Sequence, residues 1–116
     1  MATRILICGS RQWTDRAAVE AIIDELRGGR EILIVHGAAP GADSIAAEIA
    51  TGKGIEVDAH PPDLDRYGDA ARPIRNREML DTGPSLVVAF GSDPGTEDTV
   101  REAETRGIAV RRLGVP

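Results

Sequence analysis

The sequence predicts an α/β fold, a single doubly wound domain with a five-stranded, mainly parallel sheet and helices on both faces. Three observations carry this. Strand-like and helix-like segments alternate along the whole 116 residues. The best strands, Arg4–Cys8, Glu31–His36 and Ser85–Phe90, are apolar runs without the polar alternation of a half-exposed strand, as expected when helices cover both faces of a parallel sheet. Each of these runs stops at a glycine, Gly9, Gly37 or Gly91, where a loop leads towards a helix.

Taken in order, the first strand ends at Gly9-Ser10. Thr14 is read as the N-cap of a first helix with Asp15 in its first turn, and Val19, Ile22, Ile23 and Leu26 recur at helical spacing until Gly28-Gly29. After the second strand, Ile45, Ala46, Ile49 and Ala50 form one face of a small-residue helix, with Gly52 and Gly54 as stop signals. Ile55–Asp58 is a short, peripheral third strand. Residues 59–72 have no apolar periodicity and are read as irregular surface, after which Pro73 opens a helix carrying Ile74, Arg75, Asn76, Met79 and Leu80. Beyond the fourth strand, a helix over 95–106 buries Val100 and Ala103 and pairs Glu97 with Arg101 and Glu102 with Arg106. Gly107 ends it, and Ile108–Leu113 is the last strand.

Composition narrows the function classes. The length suits one domain able to bury about two thirds of its unfolded surface. No apolar stretch approaches the roughly 20 residues of a membrane span, and Met1–Arg4 leads directly into a strand without a leader-like apolar segment, so a cytoplasmic chain is expected. Cys8 is the single cysteine, which excludes an intramolecular disulfide and a cysteine-ligated zinc site. A net charge of −5 argues against general nucleic-acid binding, which needs a basic face to neutralise phosphates.

In a Rossmann-like sheet of order 3-2-1-4-5 the ligand crevice lies beyond the carboxyl ends of strands one and four. The loops there hold the candidate residues. Gly9, Ser10 and Arg11 combine a flexible backbone, a hydroxyl and a guanidinium suited to a phosphate or carboxylate, or form a turn with a solvated arginine. Gly91, Ser92, Gly95 and Thr96, around Pro94, make a strand-to-helix turn whose amides attract anions. Between Gly37 and Gly41 lies a second small-residue loop, and Asp43 beyond it either holds a ribose hydroxyl or caps the helix. His36 is a ligand contact or a structural histidine; Trp13 stacks on a base or packs under its own loop, and Tyr67 has the same standing. Arg75 and Asn76 face either the site or solvent, and Cys8 is inert packing.

Together, Gly9-Ser10-Arg11 with Trp13 and Asp15, His36-Gly37 through Gly41-Ala42-Asp43, Arg75-Asn76 with Met79, and Gly95-Thr96 followed by Asp98 resemble the SLOG superfamily in its YspA/YpsA-related branch. The resemblance spans essentially the whole chain and implies a Rossmann-like domain that binds a nucleotide or nucleotide-derived ligand. It reaches more distantly to the Lonely Guy phosphoribohydrolases and to DNA-processing protein A. In the former an arginine in an Arg-x-x-x-Met pattern works with a glutamate three residues after a Gly-Thr pair. Arg75 and Met79 keep the arginine pattern, but the glutamate position is Thr99. Threonine supplies no carboxylate for an oxocarbenium-like transition state, so a binding module is preferred to a hydrolase. An enzyme would need Arg75 with Asp98 or Glu97.

The resulting expectation places phosphate on the amides of Gly9-Ser10 and Gly95-Thr96, Arg11 and Arg75 as its charge partners, and Asp43 or Asp98 near ribose. No metal cluster stands out; Mg²⁺ would arrive with the ligand's phosphates. Single-stranded DNA is disfavoured by the acidic balance and the few aromatics. The resemblance also admits a homodimer, because relatives form dimers.

Overall fold

A computed structural model describes residues 2–114. The elements are β1 (Thr3–Gly9), α1 (Arg16–Arg27), β2 (Ile32–His36), α2 (Ala42–Gly52), β3 (Glu56–Ala59), α3 (Leu64–Tyr67), a 3₁₀ turn (Gly68–Ala70), α4 (Ala71–Asp81), β4 (Leu86–Phe90), α5 (Pro94–Thr105) and β5 (Ala109–Leu113). All five strands are parallel, in the order β3-β2-β1-β4-β5. This is the doubly wound Rossmann-like sheet that the alternating pattern predicts.

The absence of alternation in the strands has its expected cause. Along β1, Ile5 and Ile7 pack with Val19, Ile22 and Ile23 of α1 and Ala46, Ile49 and Ala50 of α2. Leu6 and Cys8 point to the opposite face, against Met79 and Leu80 of α4 and Val100 and Ala103 of α5. Successive residues therefore serve two separate cores, and every one must be apolar. Both cores are almost wholly aliphatic, with Phe90 the only phenylalanine, tyrosine or tryptophan among the buried described residues. The sheet order reverses between β1 and β4, whose register pairs Gly9 with Phe90. Three loops converge above that point: β1–α1, β2–α2 and β4–α5.

Three differences from the pattern read in the sequence bear on the site. Asp15, not Thr14, is the N-cap of α1; its carboxylate accepts from the Ala18 amide. A carboxylate at this position also meets the positive end of the helix dipole. From Leu64 onward the stretch read as irregular is helical: Asp63 caps the one-turn helix α3 through the Arg66 amide, and the chain passes through the 3₁₀ turn directly into α4, leaving only residues 60–63 without regular structure. A single exposed turn buries no apolar stripe, so it leaves no periodicity to read. Helix α4 consequently begins at Ala71, with Pro73 in its first turn, where its missing N–H costs nothing. Among the described residues no helix is long and apolar enough to cross a membrane.

Candidate functional site

Above the β1/β4 reversal lies a cleft of about 470 Å³. Its floor is Cys8, Gly9 and Met79; Ala39 and Asp43 come from the β2–α2 side, Arg72, Arg75 and Asn76 from α4, Asp93, Pro94, Gly95, Thr96 and Thr99 from the β4–α5 turn, and Arg11 from the β1–α1 loop. The volume suits a small organic ligand. Three arginines against two carboxylates make this a positive site on a negative chain.

Arg75 is the best defined of the three. It is only 8% exposed, although arginine is rarely buried without a carboxylate partner. Its Nε donates to Asn76 Oδ1 at 2.9 Å, and its Nη1 donates to the Gly37 carbonyl. Asn76 in turn donates from Nδ2 to Asp98 Oδ2 at 2.9 Å. The guanidinium is thus held by neutral acceptors, and among the described residues it has no ion-pair partner. Burial lowers its pKa; the Asp43 charge opposes that, while Arg72 and Arg11 add to it. An anion delivered to the cleft would relieve both the burial and the repulsion among the arginines.

Gly37 makes this placement feasible. A Cβ there would stand 2.5 Å from Arg75 Nη1, so no other residue lets the guanidinium lie against the backbone. Asp43 is bound to the other side of the same residue: Oδ2 accepts from the Gly37 amide at 2.7 Å. The carboxylate is 5% exposed, and burial raises its pKa to about 6 in spite of the Gly37 amide and the Arg75 charge. Asp43 therefore steadies the β2–α2 turn and faces the cleft at once. At Gly41, φ is +79° and a Cβ would collide with the Ser10 carbonyl and with Arg11; this lets the β1–α1 and β2–α2 loops touch, with the Ala42 amide donating to Ser10 O at 3.2 Å.

Of the residues predicted from sequence to bind ligand, Gly9, Arg11, Asp43, Arg75, Asn76, Gly95 and Thr96 line the cleft. Others are brought nearby in supporting roles. Two amides assigned to phosphate are already engaged: Ser10 N donates to Phe90 O at 2.8 Å, and Thr96 N to Asp93 Oδ1 at 2.8 Å. Asp93 is the N-cap of α5. Its Oδ1 also accepts from Thr96 Oγ1 and its Oδ2 from the Arg11 amide, so a carboxylate of the chain itself ties the β1–α1 loop to the helix start. His36 accepts from the Ala38 amide through Nδ1 at 3.1 Å, which props a positive-φ turn, and burial followed by the His60 charge lowers its pKa. It is a neutral structural histidine outside the cleft lining. Trp13 packs on Phe90 with centroids 5.4 Å apart and covers Gly91, while its Nε1 donates to Asp15 O. The ring thus packs under its own loop.

The carboxylates reserved for an enzyme lie elsewhere. Glu97 is paired with Arg112 and accepts from Ser92 Oγ at 2.6 Å; Arg112, then Ser92, hold its pKa down to about 2. Neither Ser92 nor Glu97 lines the cleft, and Asp98 stands behind Asn76. Thr99, at the glutamate position of the phosphoribohydrolase pattern, does line the cleft, but its hydroxyl turns back to the Gly95 carbonyl at 3.2 Å. Arg72 and Asp93 were missed from sequence. Arg72 fell in the stretch read as irregular, although three residues before Arg75 is the same helix face once α4 begins at Ala71. Asp93 carried a signal, an acid directly before a proline at a helix start. Among the described residues no group of three or more His, Cys, Asp or Glu side chains is placed to hold a metal.

Comparison with known proteins adds to this geometry. Residues 3–67 match the YAcAr family, described as the YspA, cpYpsA-related SLOG family. The chain is 41% identical over 120 residues to the Gene 61 protein of Mycobacterium phage D29, covering 96% of each. Among solved structures it superposes on DNA processing protein A (DprA) from Streptococcus pneumoniae with a TM-score of 0.79 at 22% identity, covering 96% of this chain and 50% of that one. It also superposes on the Moco Carrier Protein from Chlamydomonas reinhardtii with a TM-score of 0.76 at 17% identity, covering 100% of this chain and 78% of that one. The chain thus spans half the length of the DNA-processing protein, and at these identities the two structures show a shared fold.

Proposed function

The chain belongs to the YspA, cpYpsA-related SLOG family, and from that membership and the cleft we propose that it binds a nucleotide or nucleotide-derived ligand without turning it over, with the phosphate on Arg75. One observation carries the reading: a guanidinium 8% exposed, held by neutral acceptors and flanked by two further arginines, borders an open cleft. Such a group binds a phosphate strongly because it is already oriented and desolvated. With the Ser10 and Thr96 amides engaged within the chain, the anion falls to the side chains of Arg75, Arg72 and Arg11, rather than to the loop amides.

Asp43 and the floor at Gly9 and Met79 leave room beside the phosphate for a sugar and base. Any Mg²⁺ would enter on the ligand's phosphates. A binding role is favoured over hydrolysis because the position that would supply a carboxylate is Thr99, while Glu97 and Asp98 are turned to other partners. The name of the Moco Carrier Protein, a carrier on the same fold, is compatible with a ligand held rather than converted. The acidic chain charge still weighs against single-stranded DNA, whatever the fold shared with the DNA-processing protein. A cytoplasmic setting and a homodimer are part of the same proposal.

The experiment is to denature the purified protein and identify released small molecules by mass spectrometry. An intact nucleotide or nucleotide conjugate supports the proposal and names the ligand. A free base with a sugar phosphate would replace it with a hydrolase. If nothing is released, a thermal-shift screen of nucleoside mono- and diphosphates decides, and no stabilisation by any of them rejects the reading.

A further inference from the structure

Resting on the reading of the cleft as an anion site, we propose that Asp43 takes up a proton when the anion binds and that the resulting carboxylic acid donates a hydrogen bond to it. The geometry sets this up. Asp43 and Arg75 are clamped to the two sides of Gly37, the carboxylate on its N–H and the guanidinium on its C=O, and both line the same cleft. An anion seated on Arg75 therefore arrives beside a buried carboxylate. Two adjacent negative charges, one of them buried, repel each other, and the one that can be neutralised is Asp43.

The surroundings reinforce this. Arg75 and Arg72 face the cleft from α4, Arg11 from the β1–α1 loop, Asp93 from the β4–α5 turn and Cys8 from β1, while His36 lies just behind at the end of β2. Asp93 is fixed by the Thr96 and Arg11 amides and adds repulsion. Burial holds the Cys8 thiol protonated, and burial also keeps His36 neutral, so neither offers a competing proton site. Burial, with Asp93 adding to it, already holds the Asp43 pKa at about 6 against the Gly37 and Ala39 amides and the Arg75 charge, and a neighbouring anion carries it further up. Protonated, the side chain keeps Oδ2 as acceptor for Gly37 and, with its O–H on Oδ1, becomes a donor to the anion, at the expense of the weaker Ala39 amide contact to the carboxylate.

The test uses sulfate, which stays fully ionised across the range where a phosphate monoester would itself titrate. Sulfate is titrated calorimetrically into the full chain from pH 6 to 8, in buffers of different ionisation enthalpy that count protons. The expected result is uptake approaching one proton per sulfate at pH 7 and an affinity that falls by up to tenfold per pH unit, with both effects lost in Asp43→Asn. Should that variant fail to fold, the Asp43 carboxyl carbon in the wild-type NMR spectrum reports the same event, its pKa rising by about two units or more with sulfate. Sulfate bound without proton uptake and with flat pH dependence overturns this inference and leaves the anion site standing. No sulfate binding at any pH overturns both.

Discussion

Arg75 and Asn76 are neighbours in sequence whose side chains hydrogen-bond to each other, Arg75 Nε to Asn76 Oδ1 at 2.9 Å. Consecutive residues on a helix diverge by about 100°, so such a bond needs something to turn one side chain towards the other. Asp98 of α5 does this: by accepting from Asn76 Nδ2 it leaves only Oδ1 to face the arginine. The outcome is a relay of hydrogen bonds from Asp98 on α5 through Asn76 to Arg75 at the cleft.

Asp98→Ala should therefore weaken nucleoside monophosphate binding by about 1 kcal/mol, the worth of one hydrogen bond in the relay. The affinity of the unphosphorylated nucleoside should not change. Calorimetry on both ligands checks it; equal losses for the two would make Asp98 a general structural residue.

Gly37→Ala tests the contact that seats Arg75. The new Cβ would stand 2.5 Å from Arg75 Nη1 and must push the guanidinium off the backbone. Overpacking of this kind costs about 1–3 kcal/mol of stability, and phosphate affinity should fall with it. Urea unfolding and a nucleotide titration measure the two effects.

Asp43 makes the stability depend on pH in a definite direction. Its folded pKa, about 6, lies above its unfolded value, so its stabilising contribution is fully present below about pH 4 and is lost as pH rises through 6. Asp43→Asn removes that loss: relative to wild type the variant should gain up to about 2 kcal/mol between pH 4 and pH 8. Denaturant melts at the two pH values give the difference, and a pH-independent offset would contradict it.

Glu97 has the opposite sign and a smaller effect. Arg112 and Ser92 lower its pKa to about 2, so its contribution exists above the usual carboxylate range and disappears as pH falls through 2. The pair is at the surface and screened by water, so Glu97→Gln should cost only about 0.5 kcal/mol at pH 7. Ligand affinity should stay within twofold of wild type, because Glu97 does not line the cleft. A large loss of affinity would return Glu97 to the site.

The sheet was legible because burial on both faces forces continuous apolar strands, and Ile5, Leu6, Ile7 and Cys8 each serve one core or the other. Topology then located the crevice. What could not be read was which way polar groups turn within it. Gly37, Gly41 and Gly91 look like ligand-cradling glycines in sequence, but their missing Cβ atoms make space for Arg75, for the Ser10 turn and for Trp13. Asp93 and Asp98, five residues apart, differ because one caps a helix beside the cleft and the other holds Asn76 from behind. Such differences arise from contacts across 22 and 82 residues of sequence, which local pattern does not encode.

Whether a phosphate sits on Arg75 is decided by the affinity of wild type and Arg75→Ala for a nucleoside monophosphate and for the matching nucleoside. The expected result is a loss of about 1.5–3 kcal/mol for the nucleotide alone, the range for a hydrogen bond to a charged group. Unchanged nucleotide affinity in Arg75→Ala, or a nucleoside that binds the wild type as tightly as its monophosphate, would contradict the account.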